Sequence, residues 1–347
     1  MISSNSYPMF GMQNDIERYS WAIYHLFVLL SSLVGDILIL YASFKEDAFK
    51  LNEFIVTIMR YIAVADLAYS VSSVLPSAIS LFANSWTLGD SLCYARVYSG
   101  YFIYPAGMWL IAVLTTSKLL RLKFPMRCAH WTRKMAVQVC SLTAFPAITF
   151  LILFLVVDKN DVVFDYRIYT CIYGFEAKIW MKLRPVISIV VLFLPNIVIV
   201  ATTIPTLKYL ADARKSARRV QGSVPWQGAA TVALTAVVYC VSTLPNFVYN
   251  ISISFIKEDP TSLFQFRFYR VTEFLLMINI MSNFYIYTLT IKSFRRFVLS
   301  KIHSALPVQL MLKRCRIMNS TGESNIMACV FVSKLKLDSI IYRTRNF

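Results

Sequence analysis

Charge is scarce in this sequence. Charged residues make up 15% of its 347 residues, against about 25% in an ordinary soluble domain. A soluble chain of this length needs far more polar surface, so a soluble globular fold is excluded. Acidic residues are scarcer than basic ones, 18 against 35, which leaves a net charge of +17. The 7 cysteines form no Cys-x-x-Cys pair and show no metal-ligand spacing. There is no catalytic triad, metal cluster or phosphate-binding loop, so no enzyme is expected. There is also no internal repeat, which speaks against a transporter built from repeated halves. Met1–Ser20 is polar and mildly acidic. It lacks the basic-then-apolar pattern of a cleavable signal peptide, so the first apolar block is expected to act as the insertion signal.

Apolar residues, by contrast, make up 57% of the chain and come in long blocks. A bilayer core of about 30 Å takes roughly 20 apolar residues per helix. Trp21–Phe44 is one such block, with Asp36 its only formal charge. Phe54–Ala83 holds only Arg60 and Asp66, and Leu92–Leu120 holds Arg96 and Lys118. Met135–Val157, Pro185–Leu207 and Trp226–Ile256 carry no charge, and Val271–Ile291 carries only Glu273. Seven blocks predict an all-α membrane protein, a bundle of seven transmembrane helices. With the N-terminus outside, the cytosolic segments hold 24 of the 35 Lys and Arg residues. That bias sets the orientation. It also accounts for the basic balance through contact with anionic lipid headgroups, without invoking nucleic acid.

Past the seventh block, Phe294, Phe297 and Val298 fall on one face of a basic segment. That spacing predicts a short amphipathic eighth helix lying in the interface plane. The expected organisation is therefore an extracellular N-terminus over 1–20 and a seven-transmembrane domain over 21–291. The amphipathic helix follows over 292–302, and a cytoplasmic tail without fixed structure over 303–347. Cys93 and Cys171 are the two cysteines placed outside, where a disulfide persists; two free thiols are the alternative. Pro76, Pro105, Pro146, Pro195, Pro205 and Pro245 lie inside spans, where each removes a backbone hydrogen bond and favours a kink.

Several landmarks then occur in a telling order. They are Gly35-Asp36 in the first span and Ala63-Val64-Ala65-Asp66-Leu67 in the second. Trp86-Thr-Leu-Gly89 stands just before Cys93, and Phe124-Pro125-Met126-Arg127 follows the third span. Pro195 and Pro245 mark spans five and six, and Asn283-Phe-Tyr-Ile-Tyr287 closes the seventh. On these residues the chain resembles the rhodopsin-like family of G protein-coupled receptors, over about Ser31–Phe297. It resembles a divergent member. The family's Asp-Arg-Tyr reads Ser117-Lys118-Leu119, and lysine lacks the planar fork of guanidinium donors. The acidic lock partner of the sixth helix is Pro225. The Trp of Cys-Trp-x-Pro is Thr243, the proline of Asn-Pro-x-x-Tyr is Phe284, and the fourth span has no tryptophan.

The resemblance implies a plasma-membrane receptor that binds an extracellular ligand and signals to a heterotrimeric G protein, with arrestin a further partner. The alternative is a seven-helix protein that binds ligand or partners without coupling. Ligand-facing candidates are Arg96, Gly100, Tyr101, Tyr104, Asn246, Tyr249, Asn250, Glu273 and Met277. Gly100 stands where amine receptors carry an aspartate, which argues against a monoamine. Met277 stands where opsins carry the Schiff-base lysine, so no retinal or other cofactor is expected. Three readings of the charged pair stay open: Glu273 pairs with Arg96, Glu273 meets a cationic ligand, or Arg96 meets an acidic one. Ionisable residues within a span are costly and usually functional. Asp36, Asp66, Asn279 and Asn283 form an expected polar core. A sodium ion at Asp66 is a further expectation, although Gly107 stands where the family offers a serine. Lys118, Tyr239, Thr243, Pro245 and Tyr287 are the expected activation switch. Lys118, Arg121, Arg127, Arg218 and Arg219 are expected to face the G protein.

Overall fold

The structure, a computed structural model, describes residues 15–49, 51–157, 162–165, 169–173, 189–220, 226–255 and 263–305. Seven long helices dominate it. They are α1 (Asp15–Ser43), α2 (Glu53–Ala83), α3 (Gly89–Lys123), α4 (Arg133–Val157), α5 (189–220), α6 (Trp226–Phe255) and α7 (Leu263–Thr290). Among the described residues, α1, α2, α3 and the Ala233–Ser252 stretch of α6 are long and apolar enough by themselves to cross a bilayer. The other three match them in length but mix in more polar residues or reach beyond the described side chains.

The helices close into a bundle. α1 packs on α2 and α7, α6 packs on α5 and α7, and α3 runs through the middle against α2, α4 and α5. The polarity of each helix is inverted relative to a soluble protein. On α1, Ile23, Phe27, Leu30, Val34, Ile37 and Tyr41 recur at helical spacing and are exposed. Its buried face carries His25, Ser32, Gly35 and Asp36. α7 likewise exposes Val271, Phe274, Tyr285 and Leu289 and buries Glu273, Asn279, Ser282 and Asn283. A continuous apolar outer stripe over a polar seam is what lipid demands. The chain is a multi-pass membrane protein.

Proline leaves its mark on the backbone. The proline ring clashes with the carbonyl one turn earlier, and a wider π turn relieves that crowding. One π turn, Ser70–Val74, comes just before Pro76, and another, Ile189–Phe193, comes just before Pro195. Pro105, Pro205 and Pro245 lie inside α3, α5 and α6. At the start of α2, Asn52 Oδ1 accepts the Phe54 amide at 2.8 Å, a side-chain cap. Asn84 ends that helix with φ 57°, a left-handed residue that asparagine tolerates.

Several expected boundaries move. α1 begins at Asp15 rather than Trp21, so part of the N-terminal segment is helical. The extension holds because Arg18 finds both Asp15 (2.8 Å) and the Leu81 carbonyl (3.0 Å). α7 begins at Leu263 rather than Val271, and α5 continues past Leu207 to Val220. A helix need not stop where its apolar block stops, since water satisfies its polar face beyond the bilayer. The chain divides into two units at Lys292/Ser293. The expected amphipathic segment is helical over Lys292–Ala305, named α8 here. Phe294 and Val298 are its buried residues, and Lys292, Arg296 and Lys301 are exposed. The remaining tail, with Cys315 and Cys329, lies outside the described residues.

Candidate functional site

At one end of the bundle, strands β1 (Val162–Asp165) and β2 (Thr170–Tyr173) pair antiparallel, with Phe164 opposite Cys171. Cys171 is disulfide-bonded to Cys93 near the start of α3, with Cα atoms 5.4 Å apart. The bond fastens the hairpin to the bundle. Ser77 Oγ of α2 meets Thr170 Oγ1 at 3.1 Å, a second tie to the same strand.

Beneath that hairpin a charged cluster joins α7 to α1. Arg270 Nη1 donates to Glu273 Oε2 at 3.0 Å, and His25 Nε2 lies 3.8 Å from Glu273 Oε1. All three side chains are buried. The Arg270 guanidinium also lies 5.0 Å from the centre of the Trp21 ring, a cation–π contact. Tyr24 stacks on Phe274 at 4.7 Å and donates its hydroxyl to the Phe274 carbonyl at 2.9 Å. Glu273 is thus neutralised from within the protein. The Arg96–Glu273 pair, open from the sequence, does not form. Arg270 sits one turn away on the same helix and reaches the carboxylate first. Arg96 instead donates Nε to Ser77 Oγ at 3.3 Å. Its Nη1 lies 3.4 Å from where a Cβ on Gly100 would stand.

Midway along the bundle lies a second polar seam. Asn283 Nδ2 donates to Asp66 Oδ2 at 2.7 Å, linking α7 to α2. Ser70 Oγ donates to Ser32 Oγ at 2.8 Å, and Ser32 in turn donates to Asp36 Oδ2 at 2.6 Å. Asn279 is buried, but its side chain makes no hydrogen bond to Asp66. The buried hydroxyls of Ser73, Tyr239 and Tyr287 have no protein partner. A sodium ion takes several oxygen ligands. Here Asn283 turns its nitrogen to Asp66 and Gly107 offers no hydroxyl, so these two positions supply no oxygen ligand. At the same level α1 and α7 come very close. A Cβ on Gly35 would lie 2.6 Å from Phe284 Cβ, so only glycine fits there.

Of the switch positions, Thr243 is committed to other bonds. Thr243 Oγ1 lies 2.9 Å from Asn196 Oδ1 and 2.9 Å from the Tyr239 carbonyl, so α6 is tied to α5 below Pro245. Lys118 is half-buried and has no ion-pair or hydrogen-bond partner among the described residues. Residues 35–287 match the family model of the seven-transmembrane receptors, rhodopsin family. The chain belongs to that family. No individual curated protein matches it. Members of the family are receptors rather than enzymes.

Within this receptor, Arg96, Gly100, Glu273 and Met277 fall on α3 and α7, and Asn246 and Tyr249 on α6. Asn246 and Asn250 hydrogen-bond to each other along α6. That bond and the helical setting occupy the amide of the Asn250-Ile-Ser252 sequon. The Tyr104 and Tyr69 rings meet at a tilt, with centroids 5.6 Å apart. The side chain of Tyr101 lies outside the described residues, as do those of Arg218 and Arg219 and the whole of Pro225. Arg121 is half-buried, and Arg127 is exposed beside the Phe124 ring at 5.8 Å. The residues sequence reasoning missed are His25, Arg270, Ser32 and Ser70. His25 was findable as a titratable residue inside an apolar span, and Arg270 by its i, i+3 spacing from Glu273. The two serines gave no signal, since serine is common in membrane helices.

Proposed function

We propose that this rhodopsin-like receptor binds an extracellular small molecule or short peptide and passes the signal to a heterotrimeric G protein. The ligand is placed at the disulfide-bearing end, among α3, α6 and α7, and the G protein at the opposite, basic end. The observation that carries this reading is the seam joining Asp66 to Asn283 and Ser70 to Ser32 and Asp36. A membrane interior holds such costly polar groups where helices must change partners. The unpartnered Tyr239 and Tyr287 hydroxyls give α6 and α7 groups able to find new partners when the bundle shifts.

A second reading rests on two specific observations. The Thr243–Asn196 bond holds α6 to α5, and Lys118 has no acidic counterpart among the described residues. Both favour a receptor that binds without coupling. Guanine-nucleotide exchange in membranes carrying the full chain, read with each G-protein class, separates the two. Basal or ligand-driven exchange supports coupling, and silence in all classes supports the second reading. Lys118→Arg restores the guanidinium and is expected to raise exchange. Unchanged output counts against lysine as the weakened element.

A further inference from the structure

Among the described residues, the cations at the disulfide-bearing end are unequally paired. Arg18 is satisfied by Asp15 and the Leu81 carbonyl. Arg270 and His25 both lie on Glu273. Arg267 is exposed. Arg96 is half-buried and makes no direct ion pair among the described residues, although Glu273 is near enough to attract it. Its single hydrogen bond uses Nε, and Ser77 holds that nitrogen in place while itself braced by Thr170 of the disulfide-tied hairpin. The two Nη groups keep their donors. These are the fork that binds a carboxylate or phosphate through two parallel bonds.

Gly100 sets the direction of that fork. The guanidinium lies along α3 toward the next turn, and Nη1 passes over Gly100 at the distance of an ordinary contact for the missing Cβ. A Cβ alone would just fit there, whereas a longer side chain would crowd the guanidinium. The position whose lack of an acid excludes an amine ligand is therefore also the one that makes room for a cation. Glu273 attracts Arg96 only at a distance, because Arg270 and His25 take its direct contacts.

We infer that the receptor recognises an oxyanionic ligand, a small molecule with a carboxylate or phosphate head, through the Nη1/Nη2 fork of Arg96. The tilted ring pair of Tyr69 and Tyr104, about two turns further along α3 than Arg96, suits an apolar body behind the head. The inference rests on the ligand-binding reading above.

The test uses full-length receptor in nanodiscs and a matched probe series on one phenylalkyl scaffold: carboxylate, phosphate ester, primary amide and primary amine. Thermal unfolding at millimolar probe reads binding. The two anions are expected to stabilise the protein and the amine to leave it unchanged. Comparing carboxylate with phosphate tells which head fits. Arg96→Gln should weaken the anion response about 10- to 100-fold, the size of a lost charge-assisted pair. Gly100→Asp approaches the same end without touching Arg96. It sets an internal carboxylate beside Nη1 and should abolish the anion response. Stabilisation by the amine, or an anion response that survives both substitutions, overturns the inference and leaves the ligand-binding reading standing. No response to any of the four probes overturns both.

Discussion

Adding one methyl group to Gly35 tests how tightly α1 and α7 are joined. The new Cβ would stand 2.6 Å from Phe284 Cβ and 2.8 Å from its Cγ. Real contacts of this kind are essentially never under 3.0 Å, so the helices must part by most of an ångström. Overpacking of this kind costs about 1–3 kcal/mol, and alanine returns up to about 1 kcal/mol of helix propensity over glycine. A net loss of about 1–2 kcal/mol is expected for Gly35→Ala, a drop of roughly 2–6 °C in unfolding temperature. The clash begins at the Cβ of Phe284, which gives the prediction its edge. Phe284→Ala keeps that atom, so Gly35→Ala should stay costly in its background. Phe284→Gly removes the atom, and in that background Gly35→Ala should be neutral or mildly stabilising. Unfolding of the purified chain in detergent, followed by thiol-reactive dye at Cys128, Cys140 and Cys240, measures Gly35→Ala in all three backgrounds. A Gly35→Ala variant as stable as its parent would refute the close approach. Equal costs in the alanine and glycine backgrounds would refute its cause.

Other outcomes follow from the same geometry. Arg270→Gln removes the closest cation from buried Glu273, leaving His25 at 3.8 Å, and should cost about 3–5 kcal/mol, while Arg270→Gln with Glu273→Gln together should recover much of it. Unfolding temperature is the readout, and simple addition of the two single effects would argue against a pair. Cys93→Ser opens a loop whose ends are 78 residues apart and should cost about 4 kcal/mol in the reference state where the loop is closed. The comparison is wild type with and without reductant. Thr243→Val removes the α5–α6 hydrogen bond at about 1 kcal/mol and should raise basal nucleotide exchange; flat exchange with intact folding would free this bond of any restraining role. Replacing sodium chloride by choline chloride should leave the unfolding temperature unchanged. A sodium-dependent rise that Asp66→Asn abolishes would show that the oxygen donors suffice after all.

Most of the architecture was readable before any coordinates. Bilayer thickness fixes the length of an apolar run, so the blocks ending at Ala83 and Val157 mark α2 and α4 closely. The disulfide was readable for a related reason, because topology left Cys93 and Cys171 on one side. The helix ends were less readable. Beyond the bilayer nothing in hydropathy distinguishes a helix from a loop, which is why α5 was expected to stop at Leu207 and α1 to start at Trp21. The polar core was half readable. Asp36, Asp66 and Asn283 announced themselves by their cost in lipid, whereas Ser32 and Ser70, which tie Asp36 of α1 to α2, did not.

The partners of the charged residues at the disulfide-bearing end show where sequence stops. Composition and spacing alone determined that Arg96 and Glu273 lie at one end of the bundle and that no acid stands at Gly100. Which cation reaches Glu273 is a matter of distance and direction between α1, α3 and α7, and hydropathy carries no such information. Only the packed bundle places Arg270 and His25 on that carboxylate and leaves Arg96 held by Ser77. The reason is physical: a span is specified by one-dimensional transfer energy along the chain, whereas an ion pair is specified by contact between helices that the chain order does not relate.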